Sequence, residues 1–371
     1  MRQLSPEEQR RAAADLDACR DKLANGSRTF LAASRLLPRR VRDPAIALYA
    51  FCREADDIID IGGATEGNLA LLTDRLDAVY RNAPHETATD RAFSAIVHQF
   101  DIPRTLPDAL IEGFAWDAGG RRYETFADVL AYATRVAGSV GAMMALLMGA
   151  RDRSQLARAC DLGIAMQISN IARDVGEDAR AGRLYLPLTW MRDAGLDPER
   201  FLANPRPSPE LAGIVERMLE AADSLYRRAA RGISALPVDC RTGIFAAAYL
   251  YGEIGNEVRR NNHDSVTVRA IVPAKRKIEL AAKAALSASL SLTQSPVDIP
   301  ERVFEAAYLV DAVHPHIAEP PLPAWWNLPA RTARVIDIFE RLEMREREAQ
   351  MIRLARAQDH AQHLATSSAE A

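Results

Sequence analysis

Apolar residues recur at helical period through most of this chain, and almost nothing alternates as a strand would. Residues 69–80, 127–149, 155–174, 211–233 and 242–260 each carry apolar positions three and four apart, with polar faces between them. Alternating runs bounded by hairpin turns are scarce. The pattern predicts an all-α fold, a single helical bundle, because a helix with one apolar stripe must bury it against its neighbours. Pro38, Pro44, Pro103, Pro107, Pro187, Pro237 and Pro273, with the 205–209 proline loop, are read as boundaries between helices.

Two of these helices carry paired carboxylates. Asp56 and Asp60 stand four residues apart, and so do Asp174 and Asp178. On a helix that spacing places both side chains on one face, a turn apart, where like charges repel unless a cation lies between them. Mg²⁺ suits such a pair, since it takes few carboxylates, keeps waters and completes its shell with phosphate oxygens. Two facing pairs would therefore hold a metal-bridged diphosphate. Tyr49 and Arg53 continue the first acidic face, and a guanidinium there can bind oxygens the metals leave free. Gln167 and Asn170 continue the second, inside an otherwise apolar stretch. Buried unpaired amides cost about 1–3 kcal/mol each, so they need a polar cavity or a structural network around them. Gly182, Arg183 and Tyr185 follow at once and form a turn able to present another cation and a phenol.

Other classes of function are disfavoured. A net charge of -3 argues against a nucleic-acid binder. Cys19, Cys52, Cys160 and Cys240 show neither paired nor zinc-like spacing, which suggests a reducing, cytoplasmic setting. The first residues lack the apolar core of a signal peptide. The most apolar run, 136–150, is shorter than the ~18 residues of a membrane span and reads as a buried core helix. After about residue 295 the character changes. Residues 296–330 are rich in proline, with His314 and His316 read as loop residues and Trp325 and Trp326 nearby. Residues 331–358 read as a charged amphipathic helix. The expected organisation is one domain over 1–295 and a linker with a C-terminal helix of unknown role over 296–371.

Five strings in order carry a family resemblance: GSRTFLAASRLLP from Gly26, LYAFCREADDIID from Leu48, YATRVAGSVG from Tyr132, AMQISNIARDVGEDARAGRLYLP from Ala165 and YGEIGNEVRRNNHDSVTVRA from Tyr251. At these residues the chain resembles the squalene and phytoene synthase family, on its bacterial, phytoene-forming branch. The resemblance implies the isoprenoid synthase fold around a central apolar cavity. It implies head-to-head (1'-1) condensation of two geranylgeranyl diphosphates through prephytoene diphosphate, with Mg²⁺ or Mn²⁺ and without NADPH. It also implies that Asp56, Asp60, Asp174 and Asp178 hold metal, together with Asn170. Ser27, Arg28, Tyr49, Arg53, Gln167, Asn170, Tyr251 and Arg269 match positions that contact the diphosphates or the metal shell. Tyr132, Val136, Gly138 and Phe30 match the cavity lining, with Tyr132 among the catalytic candidates. Each half-reaction loses a proton, to the released diphosphate or to a tyrosine.

Several rivals share parts of this pattern. Asp56-Asp57-x-x-Asp60 also suits head-to-tail prenyl synthases and terpene cyclases, which lack the 182–187 string. A squalene synthase would finish with hydride from NADPH, and relatives in hopanoid pathways are the nearest enzymes. A non-catalytic assembly factor would have lost the four aspartates. The hydrophobic substrate and product suggest peripheral association with the inner face of the cytoplasmic membrane and handover to a phytoene desaturase.

Overall fold

The computed structural model describes residues 5–26, 31, 33–62, 66–291 and 303–314, apart from the side chains of residues 60–62 and 66. Its regular elements are helical: α1 (Pro6–Gly26), α2 (Arg39–Gly62), α3 (Glu66–Tyr80), α4 (Ala88–Phe100), α5 (Thr105–Ala118), α6 (Phe126–Leu147), α7 (Arg153–Arg180), α8 (Leu188–Asp193), α9 (Pro198–Ala203), α10 (Pro209–Ile233), α11 (Val238–Arg260), α12 (Ala274–Leu290) and α13 (Ala307–Val313). Among the described residues there is no strand. The all-α expectation holds. Ser27, Arg28, Phe30, His316, Trp325, Trp326 and the 331–358 segment lie outside the described residues.

Local chemistry sets the helix starts. Thr125 and Asp128 form a capping box at α6, each side chain meeting the other residue's backbone N–H. Ser208 caps α10 by accepting from the Leu211 N–H at 3.2 Å, and Pro209 follows where its missing N–H costs nothing. Pro44 is not a boundary. α2 runs through it, because a proline in the second turn removes one hydrogen bond while Ala45, Leu48 and Phe51 beyond it are buried.

α7 is the axis of the bundle, flanked by α6, α10 and α11. Glycines set the closest approach. A Cβ on Gly163 would lie 2.2 Å from the Ala137 carbonyl oxygen, and one on Gly141 would lie 2.3 Å from that of Ala159. Both clashes involve backbone, which cannot swing away. Gly163→Ala should therefore destabilise by about 1–3 kcal/mol, read as a lowered midpoint in thermal unfolding. Gly213→Ala, in the interior of α10 with nothing within 4 Å, should stabilise by about 0.5–1 kcal/mol.

α6 meets the length and hydropathy of a membrane span, yet 56% of its most apolar window is buried inside the bundle. It is a core helix. A π turn over Thr134–Gly138 interrupts it. In a regular helix Tyr132, Val136 and Val140 would share one stripe. The widened turn breaks that stripe, and such turns often sit at functional sites.

The compact unit continues to Pro315, past the boundary expected at 295. Leu309 and Val310 of α13 are buried in the main core, which is why the segment belongs with the bundle. Residues 316–371 lie outside the described residues.

Candidate active site

A cavity of about 1200 Å³, counted to its open mouth, runs beside α7. The space within it open to a water-sized molecule is about 280 Å³, at the lower end of the ~300–1,000 Å³ of ordinary small-molecule pockets. Its walls are Val136, Val140 and Met144 of α6, Leu162 and Met166 of α7, and Ile233 and Ile244 from α10 and α11. Tyr49, Gln167, Asn170 and Tyr251 line it too. The lining residues Gln155 and Asn170 are fifteen positions apart on α7, about 22 Å of helix rise. The chamber is therefore long, apolar and polar-ended.

The polar end is where both acidic motifs arrive. Arg53 donates to Asp56 at 3.1 Å and pairs with Asp57 at 2.6 Å. It also acts electrostatically on Tyr49, whose phenol burial shifts upward. Tyr49 is coupled to Tyr251, and Tyr251 to Arg173 of the second motif. Arg173 in turn grips Asp174 through Nε at 2.7 Å. Residues from α2, α11 and α7 thus surround one opening.

α7 kinks at Asp174, whose φ of -103° and ψ of 15° leave the helical range. The cause lies next door: the Gly176 N–H donates to the Ser265 carbonyl at 2.9 Å, and a Cβ on Gly176 would meet Val266 backbone at 2.4 Å. Asp174 and Asp178 are thus separated by a bent turn, not the straight one their spacing suggested. The bend carries the 265–269 loop to the site, so that Arg269 donates to Asp174 at 3.1 Å and pairs with Glu177 at 3.4 Å. Burial and the neighbouring Asp174 push the Asp178 carboxyl up to about 7, while Arg183 pulls it back. Burial is the larger cause, and the like charge of the paired carboxylate adds to it.

Among the described residues no three His, Cys, Asp or Glu side chains converge as a metal cluster. The Asp60 side chain lies outside the described ones. The donor set still fits a hard cation, which needs only one or two protein carboxylates beside phosphate and water. Asn170 supplies the telling atom: its Oδ1 is buried at the polar end with no hydrogen-bond partner. An orphaned carbonyl oxygen there costs stability unless a cation or donor arrives.

Two expected lining residues, Gly138 and Tyr132, are not among those that line the cavity. Gly138 faces Ile164, with a Cβ contact of 3.4 Å, so it serves helix packing. Tyr132 is buried and precedes the π turn that contains Val136. Its hydroxyl donates to Asp117 at 2.6 Å, and Tyr185 donates to the other oxygen at 2.6 Å. Their rings stack at 5.0 Å. Burial, then the Asp117 charge, raises both phenols, so both stay protonated donors. Asp117 and Arg173 were not anticipated. Arg173, beside Asp174 on an apolar helix, was a readable signal; Asp117, at the end of α5, had none. Asp117→Asn should lower turnover about tenfold, because an amide cannot accept from both phenols and one must turn. The check is a kcat measurement with the fold verified by circular dichroism.

The family model for squalene/phytoene synthase matches residues 23–278. The chain is 52% identical over 330 residues to a phytoene synthase of Rhodobacter capsulatus, covering 86% of this chain and 97% of that one. It is 52% identical over 290 residues to a phytoene synthase of Cereibacter sphaeroides, covering 76% and 82%. Among solved structures, a dehydrosqualene synthase in complex with a ligand superposes with a TM-score of 0.70 at 29% identity, over 76% of this chain and 99% of that one. A squalene synthase from Alicyclobacillus acidocaldarius, at 22% identity and a TM-score of 0.62 over 68% and 95%, supports the fold alone.

Proposed function

This chain belongs to the squalene/phytoene synthase family, and from that premise we propose that it joins two geranylgeranyl diphosphates head to head into phytoene, in carotenoid biosynthesis. The observation that carries the reading is the single long apolar chamber ending on Asn170, beside carboxylates already gripped by arginines. It has the polarity of a polyprenyl diphosphate. The match across nearly the whole length of a phytoene synthase supports this substrate over a shorter one.

Arg53, Arg173 and Arg269 bind diphosphate oxygens, exchanging one anionic partner for another. Asp56, Asp60, Asn170, Asp174 and Asp178 would hold the divalent cation, Mg²⁺ or Mn²⁺. When bound, the cation supplies Lewis-acid stabilisation of the charge on the leaving diphosphate. Ionisation of the allylic carbon–oxygen bond leaves a delocalised carbocation, which the α6–α7 chamber keeps from water. The Tyr49 and Tyr251 rings at the mouth face passing positive charge, worth about 2 kcal/mol when desolvated. The double bond of the second substrate adds to this cation, and loss of one proton closes the cyclopropane of prephytoene diphosphate. Ionisation of its remaining diphosphate in the same chamber, rearrangement and loss of a second proton give phytoene. Both protons pass to released diphosphate or to a tyrosine. No NADPH is required in this reading, and the enzyme works in the cytoplasm at the inner membrane surface, passing its product to a desaturase.

The test is product analysis with pure protein, geranylgeranyl diphosphate and Mg²⁺, with and without NADPH. A forty-carbon phytoene formed without NADPH and lost on chelation supports the reading. A thirty-carbon product from farnesyl diphosphate alone would move the protein to the squalene or hopanoid branch.

A further inference from the structure

We propose that the outer face of α12, with the loop before it, docks this enzyme on an anionic lipid surface. The inference rests on the reading above, in which substrate and product partition into lipid. α12 has two apolar faces. Leu280, Ala284 and Ala288 point inward, and Leu280 packs with Val272, Leu250 and Ile254 against α11. Ile278, Leu286 and Leu290 are offset from that stripe by two residues, which puts them on the opposite side of the helix. They are exposed, Ile278 by 72%, and Ile271 in the preceding loop by 73%. Of the large hydrophobic residues exposed on the described surface, more than half fall between Val268 and Leu290.

Charge selects the occupant. Residues 268–290 carry five cations and one acid, in a chain whose net charge is -3. Arg276 is engaged by Glu253 and Glu279, and Lys283 lies over the Tyr249 ring. Lys275 and Lys277 are exposed, and among the described residues no ion pair is recorded for them. Exposed apolar side chains flanked by free lysines match an acidic headgroup layer above acyl chains. A symmetric contact with a second copy would set these lysines against their own counterparts.

The face is also joined to the site. Arg269, which reaches Asp174, precedes Ile271 by two residues. An amphiphile whose tail lies in the lipid thus meets the diphosphate-binding loop at the surface itself.

The experiment is flotation of the full chain with vesicles of phosphatidylcholine alone or with phosphatidylglycerol. It is paired with turnover of substrate held in vesicles or dispersed in detergent. The expected result is binding to anionic vesicles that salt weakens. Lys275→Ala/Lys277→Ala should lower that binding about thirtyfold. Ile278→Asp/Leu286→Asp should lower it about a hundredfold, losing turnover in vesicles but not in detergent. Wild-type protein that ignores anionic vesicles, or double variants that bind as wild type does, would overturn the proposal. A dimer that the Asp variants dissociate, seen by sedimentation without vesicle binding, would assign the face to a second copy and overturn it too. Failure of turnover in detergent by the wild-type protein would count against the proposed reaction instead, and leaves the binding arm readable.

Discussion

Asp174→Asn should lower turnover by about 10³-fold while leaving the helical fold in place. Asp174 sits at the kink of α7 and is gripped from two sides, by Arg173 at 2.7 Å and Arg269 at 3.1 Å. The amide keeps the shape and loses the charge. Both guanidiniums then lose the anion that orients them, and the proposed cation site loses one of its carboxylates. Removing one preorganised electrostatic partner of a leaving group costs about 10²–10³ in kcat. Here the carboxylate orders two such partners, so the upper figure applies. The structural cost is smaller, about 1.5–3 kcal/mol for charge-assisted hydrogen bonds lost. The kink itself persists, since the Gly176–Ser265 bond and the absent Cβ of Gly176 produce it. The measurement is single-turnover product formation, with circular dichroism as the control for folding. Near-normal turnover would remove Asp174 from the site.

The sequence made the helices legible because their apolar period is long and unbroken, and the family strings brought the acidic motifs to one opening. What it concealed has physical causes. The bend at Asp174 depends on a contact with residue 265, far along the chain, and no local pattern announces it. The π turn in α6 shows no local signature, and it falls between Tyr132 and Val140, residues that a regular helix would align. Asp117 is an isolated acid whose meaning comes only from the two phenols folded onto it. Pro44 misled because a proline was read without its place in the helix. The change of composition at about 295 comes before packing ends, since Leu309 and Val310 still bury. Local pattern therefore gave elements and chemistry, while long-range contacts decided where side chains point.

Ala159→Phe should convert chain-length preference. Ala159 lines the chamber eleven residues before Asn170, about 16 Å along α7 from the polar end. Gln155, the α7 lining residue farthest along the chain from Asn170, lies about 22 Å away by the same rise. A phenyl group at 159 removes the last stretch, close to one five-carbon unit of a prenyl chain. The backbone there cannot yield, because Gly141 already lies against the Ala159 carbonyl. The ring must therefore turn into the chamber, and a twenty-carbon tail must fold or stay outside. Overfilling a close-fitting apolar pocket costs about 1–3 kcal/mol for each misplaced methylene. Turnover of geranylgeranyl diphosphate should fall about a hundredfold, while farnesyl diphosphate, shorter by one unit, should be used as well as before or better. The measurement is product distribution from an equal mixture of the two substrates, with thirty-carbon product replacing the forty-carbon one. An unchanged ratio would mean that the tail does not run along α7, and that the chamber's length is not what selects the substrate.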